Sequence, residues 1–157
     1  GKSLKNFISF LSQKPRLRIM EENKEKKVQE MYMEFKVLEQ HIKQMQARIE
    51  AITHQLIEMH STNNSLEEFR KISAGKEVFV PLSSGIFAKA SIKDTSELLV
   101  NVGVNTIVKK DIDSAKKLIQ NQIEEIKKIQ KHMIGELEKM TTYASQIEMQ
   151  LQKLVTE

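Results

Sequence analysis

The sequence has no cysteine and no tryptophan, and only two prolines and five glycines among 157 residues. The missing cysteine removes disulfide frameworks, thiolate zinc sites and cysteine nucleophiles together, and fits a reducing compartment. Aromatics make up 5% of the chain, six Phe and two Tyr. That is thin for a compact globular core and typical of long helices packed along Leu, Ile and Met. No apolar run approaches the roughly 18 residues that a bilayer span needs, so a soluble chain of about one domain is expected.

The first 19 residues also lack any acid. They carry Lys2, Lys5, Lys14, Arg16 and Arg18, a local charge of +5, which leaves the remaining 138 residues at −1 of the total +4. The basic composition therefore belongs to a leader, and the body is close to neutral. This leader holds a short apolar cluster of Phe7, Ile8, Phe10 and Leu11 and is broken by Pro15. It reads as an upstream translation or a disordered tail, with Met20 as the natural start. No small-residue cleavage pattern follows it to support a signal peptide.

What is abundant is heptad spacing. Val28, Met31, Phe35, Leu38, Ile42, Met45, Ile49, Ile52, Leu56 and Met59 alternate in steps of three and four, a coiled-coil seam with every position apolar. The helix is expected to start near Glu21 and to fray at the polar cluster Ser61-Thr62-Asn63-Asn64-Ser65. A second seam runs through Ile112, Ile119, Ile123, Ile126, Met133, Leu137, Met140, Ala144, Ile147, Leu151 and Leu154. Lys116 and Gln130 are its polar positions: Lys116 sits in the first turns, where an opening to solvent costs little, and Gln130 reads as a register-setting or water-bridged residue rather than a site. Asp111 or Asp113 can cap the start of this helix.

Between the seams the period falls to two. Val78, Val80 and Leu82 alternate with Glu77, Phe79 and Pro81, and after Ser83-Ser84-Gly85 come Ile86, Ala88, Ala90 and Ile92. A second turn at Lys93-Asp94-Thr95-Ser96 precedes Leu98, Val100 and Val102, and Gly103 separates these from the run Val104–Val108. Four such runs with turn residues between them read as two consecutive β-hairpins. Helices of about 65 and 70 Å cannot fold over strands of about 17 to 24 Å. The expected architecture is α+β: a long antiparallel two-helix coiled coil with two central β-hairpins. The open strand edges call for partner subunits that add strands. At the far end, Tyr32 and Met33 beside Met31 and Phe35, and Met149 and Val155 beside Leu151 and Leu154, supply more apolar surface than one seam uses. Such adaptable surface suits varied apolar partners.

Over residues 21 to 157 the chain resembles the alpha-subunit family of archaeal prefoldins. The resemblance is most specific in Gly75-Lys76-Glu77-Val78-Phe79-Val80-Pro81-Leu82, Gly85-Ile86-Phe87-Ala88-Lys89-Ala90, Lys93-Asp94-Thr95 and Val100-Asn101-Val102-Gly103. Two hairpins rather than one point to the alpha class. The resemblance implies a hexamer of two alpha and four beta subunits whose hairpins form an intersubunit β-barrel platform. It further implies a cytoplasmic, ATP-independent co-chaperone whose coiled-coil tips capture unfolded client proteins and pass them to a group II chaperonin. Carried over by position, the subunit interface would use Val78, Val80, Leu82, Ile86, Ala88, Leu98, Val100, Val102, Val104 and Val108. Client-binding tips would use Val28, Met31, Tyr32, Phe35, Leu151, Leu154 and Val155. The implied domains are the leader at 1–19 and a prefoldin domain at 20–157. The latter divides into an N-terminal helix at 20–65, hairpins at 76–109 and a C-terminal helix at 111–157.

Rival classes find less support. His41, His54, His60 and His132 are scattered without the i, i+4 spacing of a helical metal site, and Gly75, Gly85 and Gly103 form no phosphate loop. An enzyme, a cofactor and a metal are therefore not expected. Lys127, Lys128 and Lys131 are interleaved with Glu124, Glu125, Glu136 and Glu138, a solvated face rather than a nucleic-acid patch, and neither nucleic acid nor membrane is expected as a partner. The alternative function is a structural coiled-coil tether that holds no client.

Overall fold

A computed structural model of the chain describes residues 2–13 and 15–156. Its elements are α1 (Lys2–Gln13), α2 (Pro15–Arg70), β1 (Glu77–Ser83), β2 (Ile86–Ser91), β3 (Leu98–Gly103), β4 (Thr106–Lys110) and α3 (Ile112–Thr156). They divide into two compact units, Gly1–Ile49 with Met133–Glu157 and Glu50–His132.

The ten apolar positions of the first seam are all buried or half-buried in α2, and the seam of α3 behaves the same way, polar members included. Within each unit low-numbered residues of α2 meet high-numbered residues of α3, so the helices run antiparallel. In the first unit Tyr143 donates a hydrogen bond to Glu34. In the second, Gln130 donates to the Thr53 hydroxyl at 3.0 Å. The most buried side chains are Ala144 and Ile147 in the first unit and Leu56, Ile112, Ala115 and Ile123 in the second.

Three expectations about the helices are corrected. First, α2 starts at Pro15 rather than near Glu21, because a proline's fixed φ and missing N–H suit the first helical turn. Residues 2–13 take a helical path where disorder was expected, with Leu4, Phe7 and Ile8 on one face. Gly1 and Lys14 of the leader, and Glu157 at the end of the expected C-terminal helix, lie outside the described residues.

Second, the polar cluster at 61–65 does not interrupt α2. Thr62 returns its hydroxyl to the Glu58 carbonyl at 2.9 Å, and the seam continues through Asn63, Leu66 and Phe69, all half-buried. Packing outweighs the few tenths of a kcal/mol per residue that propensity costs. The Asn63 side-chain oxygen is buried without a hydrogen-bond partner. Replacing Asn63 with Leu is therefore expected to raise stability by about 1 to 2 kcal/mol, read as a higher denaturation midpoint, at the expense of register specificity.

Third, Lys116 is not simply open to solvent: it is only 28% exposed and pairs with Glu67. Arg70 bridges Glu67 and Asp113, and together these four side chains clamp the end of α2 to the start of α3. The cap itself is Asp111, whose carboxylate accepts the Ser114 N–H at 2.7 Å while its carbonyl accepts the Ala115 N–H. Hydrogen bonds from Lys116 lower the Glu67 pKa, and hydrogen bonds from Arg70 lower that of Asp113. Carboxylates depressed in the folded state stabilise fully above their unfolded pKa of about 4 and lose that contribution as pH falls through the folded value. Melting temperature should therefore drop more steeply below about pH 4 in the natural chain than in Arg70→Ala.

The strands form two separate antiparallel hairpins, β1 with β2 and β3 with β4, not one four-stranded patch. Each is a two-stranded sheet with both outer edges unpaired, a form that is marginal alone. The first turn is Ser84-Gly85, with Gly85 at φ +79°, and an irregularity in the pairing falls between Pro81 and Ser83. The second turn is Val104-Asn105, with φ of 46° and 58°, so Val104 opens a turn and not the fourth strand. Positive φ at both central residues is the two-residue hairpin turn whose twist matches the strands, an unusual position for a β-branched residue. The link between hairpins is an Asx turn in which Asp94 accepts the backbone N–H and the hydroxyl of Ser96.

Candidate functional site

Two surfaces carry the residues singled out in the sequence. The first is an apolar groove of about 400 Å³ in the first unit, lined by Val28, Gln29, Tyr32, Leu151, Gln152, Val155 and Thr156. Helical spacing creates it. Val28 and Tyr32 are one turn apart on α2, and Leu151 and Val155 one turn apart on α3, so antiparallel packing brings the two pairs together. Val28 and Leu151 are half-buried and form the floor, while Tyr32 and Val155 stand out at 51% and 72% exposure. Of the seven expected tip residues the groove gathers these four. Met31, Phe35 and Leu154 are half-buried seam positions and do not line it.

Polar contacts involve Tyr32 and its neighbours on α2. The Lys36 ammonium lies 5.4 Å from the Tyr32 ring centre and pairs with Glu39 at 3.3 Å, which raises its pKa. Beside Phe35 in sequence, Glu34 accepts a hydrogen bond from Tyr143 that ties the helices and raises the phenol's pKa. Sequence periodicity could not reveal this clamp, because neither residue lies on a seam. Met33 and Met149 add exposed, pliable surface nearby in sequence.

The second surface is the pair of hairpins. Val78 pairs with Ala90 and Val80 with Ala88, so these four share one face of the first hairpin. Val100 pairs with Val108 and Leu98 with Lys110 on one face of the second. Val78, Ala88, Leu98, Val100 and Val108 are half-buried, whereas Val80, Leu82, Ile86 and Val102 are exposed and Val104 fully so. The structure thus divides the ten expected interface residues between strand faces and turns. It also adds a set that the expectation left out. Phe79 and Phe87, with Leu99 and Ile107 in the other hairpin, lie on the opposite faces and are all more than 60% exposed. Their alternation was present in the sequence, but reading one face as core assigned the other to solvent.

Among the described residues no group of three His, Asp or Glu side chains could hold a metal ion, and no helix is long and apolar enough to cross a membrane. Apolar side chains at the ends of helices and along unpaired strands define a class of protein: a coiled-coil subunit with open strand edges.

Comparison with known proteins gives that class its family. The family described as "Prefoldin subunit" matches residues 38–157, and the chain belongs to it. It is a family of chaperone subunits. The prefoldin subunit alpha of Thermofilum pendens is 32% identical over 89 residues, covering 57% of this chain and 69% of the relative. That of Methanobrevibacter smithii is 32% identical over 101 residues, covering 62% and 66%. That of Archaeoglobus fulgidus is 26% identical over 133 residues, covering 85% and 92%. The fold is similar to that of a filamentous PFD from Methanocaldococcus jannaschii solved by cryo-electron microscopy. The TM-score is 0.67 at 16% identity, with 78% of this chain and 98% of that one covered.

Proposed function

We propose that the chain is the alpha subunit of a hetero-oligomeric prefoldin, an ATP-independent, non-enzymatic holdase. Its hairpins assemble with beta-class subunits into a β-barrel platform in a hexamer of two alpha and four beta chains. Its distal helix ends hold unfolded proteins for delivery to a group II chaperonin in the cytoplasm. The observation that carries this reading is the apolar groove of Val28, Tyr32, Leu151 and Val155, an unfilled apolar surface at the end of a coiled coil. Val78, Val80, Leu82, Ile86, Ala88, Leu98, Val100, Val102, Val104 and Val108 serve the assembly in this reading. The domain division follows it, with a leader at 1–19 and a subunit domain at 20–157.

The test is aggregation of a chemically unfolded protein, followed by light scattering with and without the complex reconstituted from this chain and a beta-class subunit. Suppression is expected. A complex whose alpha chain is cut before Lys36 and after Gln146 should keep its native mass and lose the alpha chain's share of the suppression. Unchanged suppression by the shortened complex would sink the tip mechanism and favour a structural tether.

A further inference from the structure

We infer that a cleft between α2 and α3 in the second unit is a binding site for a small phosphate-bearing anion. The cleft holds about 470 Å³. Its walls are His60, Asn63 and Asn64 of α2 and Lys116, Lys117 and Asn121 of α3, with Gln120 beside them. Residues 59–66 of α2 and 114–123 of α3 contain no Asp or Glu. The two acid-free spans share this cleft, so two lysines and a histidine meet there without a carboxylate in the lining. Lys116 is taken up by Glu67, and Gln120 gives its amide to Glu124 at 3.0 Å. The side chains of Lys117, His60, Asn64 and Asn121 make no hydrogen bond or ion pair among the described residues. The uncompensated charge of the cleft is therefore that of Lys117, with neutral donors around it.

Asn63 supplies an independent sign of the same site. It stands at a seam position with its side-chain oxygen buried and unpaired, where an apolar residue would cost less. An unsatisfied buried group in a native fold calls for a role, and local rules are broken where a site is built. With the oxygen shut away, the end of the amide left to face the cleft is its NH2 donor. Asn63 and Asn64, members of the polar cluster that reads by composition as a helix break, thus furnish one wall. Donors converge here from two helices. A carboxylate holds its oxygens in one plane, whereas a phosphate group presents acceptors tetrahedrally to several donors at once. Glu58 and Glu67 on α2 and Asp113 and Glu124 on α3 bound the acid-free spans. They leave room for a compact anion and repel a long one such as a nucleic acid. Free phosphate and a small phosphate ester share the required chemistry, and either would bridge α2 to α3 beside the clamp of Glu67, Lys116, Arg70 and Asp113.

The experiment titrates the full chain with inorganic phosphate at constant ionic strength, followed by the phosphorus resonance in nuclear magnetic resonance, and repeats the titration with glycerol phosphate. Saturable binding is expected. Lys117→Gln should weaken it by about tenfold, the worth of one charge-assisted hydrogen bond. Lys117 is exposed and off the seam, so this variant should keep its melting temperature. Asn64→Ala with Asn121→Ala leaves the charge and removes two neutral donors, and should weaken binding by about threefold or more. Lys128→Gln alters an exposed lysine outside the cleft and should bind as the natural chain does. Tighter binding of the ester would assign the site to an ester, and tighter or equal binding of free phosphate to the free ion. Absence of saturable binding would overturn the proposal. Equal losses for Lys117→Gln and Lys128→Gln, or none for the asparagine pair, would mean an adventitious ion only, drawn by diffuse charge, and would overturn it too. Acetate displacing phosphate at equal concentration would count against the tetrahedral fit in the same way. None of these outcomes bears on client holding, so the holdase reading stands or falls separately.

Discussion

Val100→Lys is expected to dismantle the assembly while leaving the helices intact. Val100 sits mid-strand in β3, half-buried, opposite Val108. In the separate chain a lysine there can turn its ammonium to water, because each hairpin is a two-stranded sheet with both edges open. In the proposed platform, where strands from partner subunits would cover that face, the charge would be desolvated without a carboxylate opposite it. Stranding one unpaired charge in an interface costs about 3 to 5 kcal/mol, a factor of about 150 to a few thousand in association. Native mass measurement should register the loss of the full complex, and far-ultraviolet circular dichroism should remain dominated by α2 and α3. A mutant of unchanged mass would count against the platform assignment. Val100→Ile, which keeps shape and apolarity, should assemble normally.

The second large effect is expected at the groove. Val28, Tyr32, Leu151 and Val155 line the apolar groove proposed to hold clients, and converting all four to Ser removes most of its apolar surface. At about 25 cal/mol per Å² of apolar area, the loss should weaken client holding by at least about tenfold. Because Val28 and Leu151 are half-buried, part of the change could loosen the helix ends. The exposed pair Tyr32→Ser and Val155→Ser isolates the contact itself, since neither side chain contributes much to packing. Client holding measured by suppression of aggregation should fall in the pair variant with no change in melting temperature. Full holding by both variants would mean that clients are gripped elsewhere.

The helices and strands were legible because their apolar residues repeat at periods that backbone geometry imposes. Every position of both seams is at least half-buried. Local chemistry was harder to weigh. The cluster Ser61–Ser65 signals a break by composition, yet Asn63 and Leu66 keep the seam's spacing, and tertiary packing decided in their favour. The run beginning at Val104 looks like strand from its β-branched residues, but strand twist and the two-residue loop place Val104 in the turn. The groove was legible in part: heptad spacing places Val28, Met31, Leu151 and Leu154 on the seams and leaves Tyr32 and Val155 as surplus, but it does not show that the surplus pair forms a groove with Val28 and Leu151 rather than with Met31 and Leu154. Alternation says which residues share a face and not how many faces will be covered, so it does not single out the outer hairpin residues Phe79, Phe87, Leu99 and Ile107.

The contacts between α2 and α3 close loops of very different size. Arg70 and Asp113 are 43 residues apart, Thr53 and Gln130 77, and Glu34 and Tyr143 109. The entropy of closing a loop rises with its length, so the hairpin end forms at the least cost and each further turn becomes an inexpensive extension of the last. The contacts of the second unit therefore close at lower entropic cost than the Glu34–Tyr143 contact of the first, and the groove of Val28, Tyr32, Leu151 and Val155 belongs to the unit whose closure costs more.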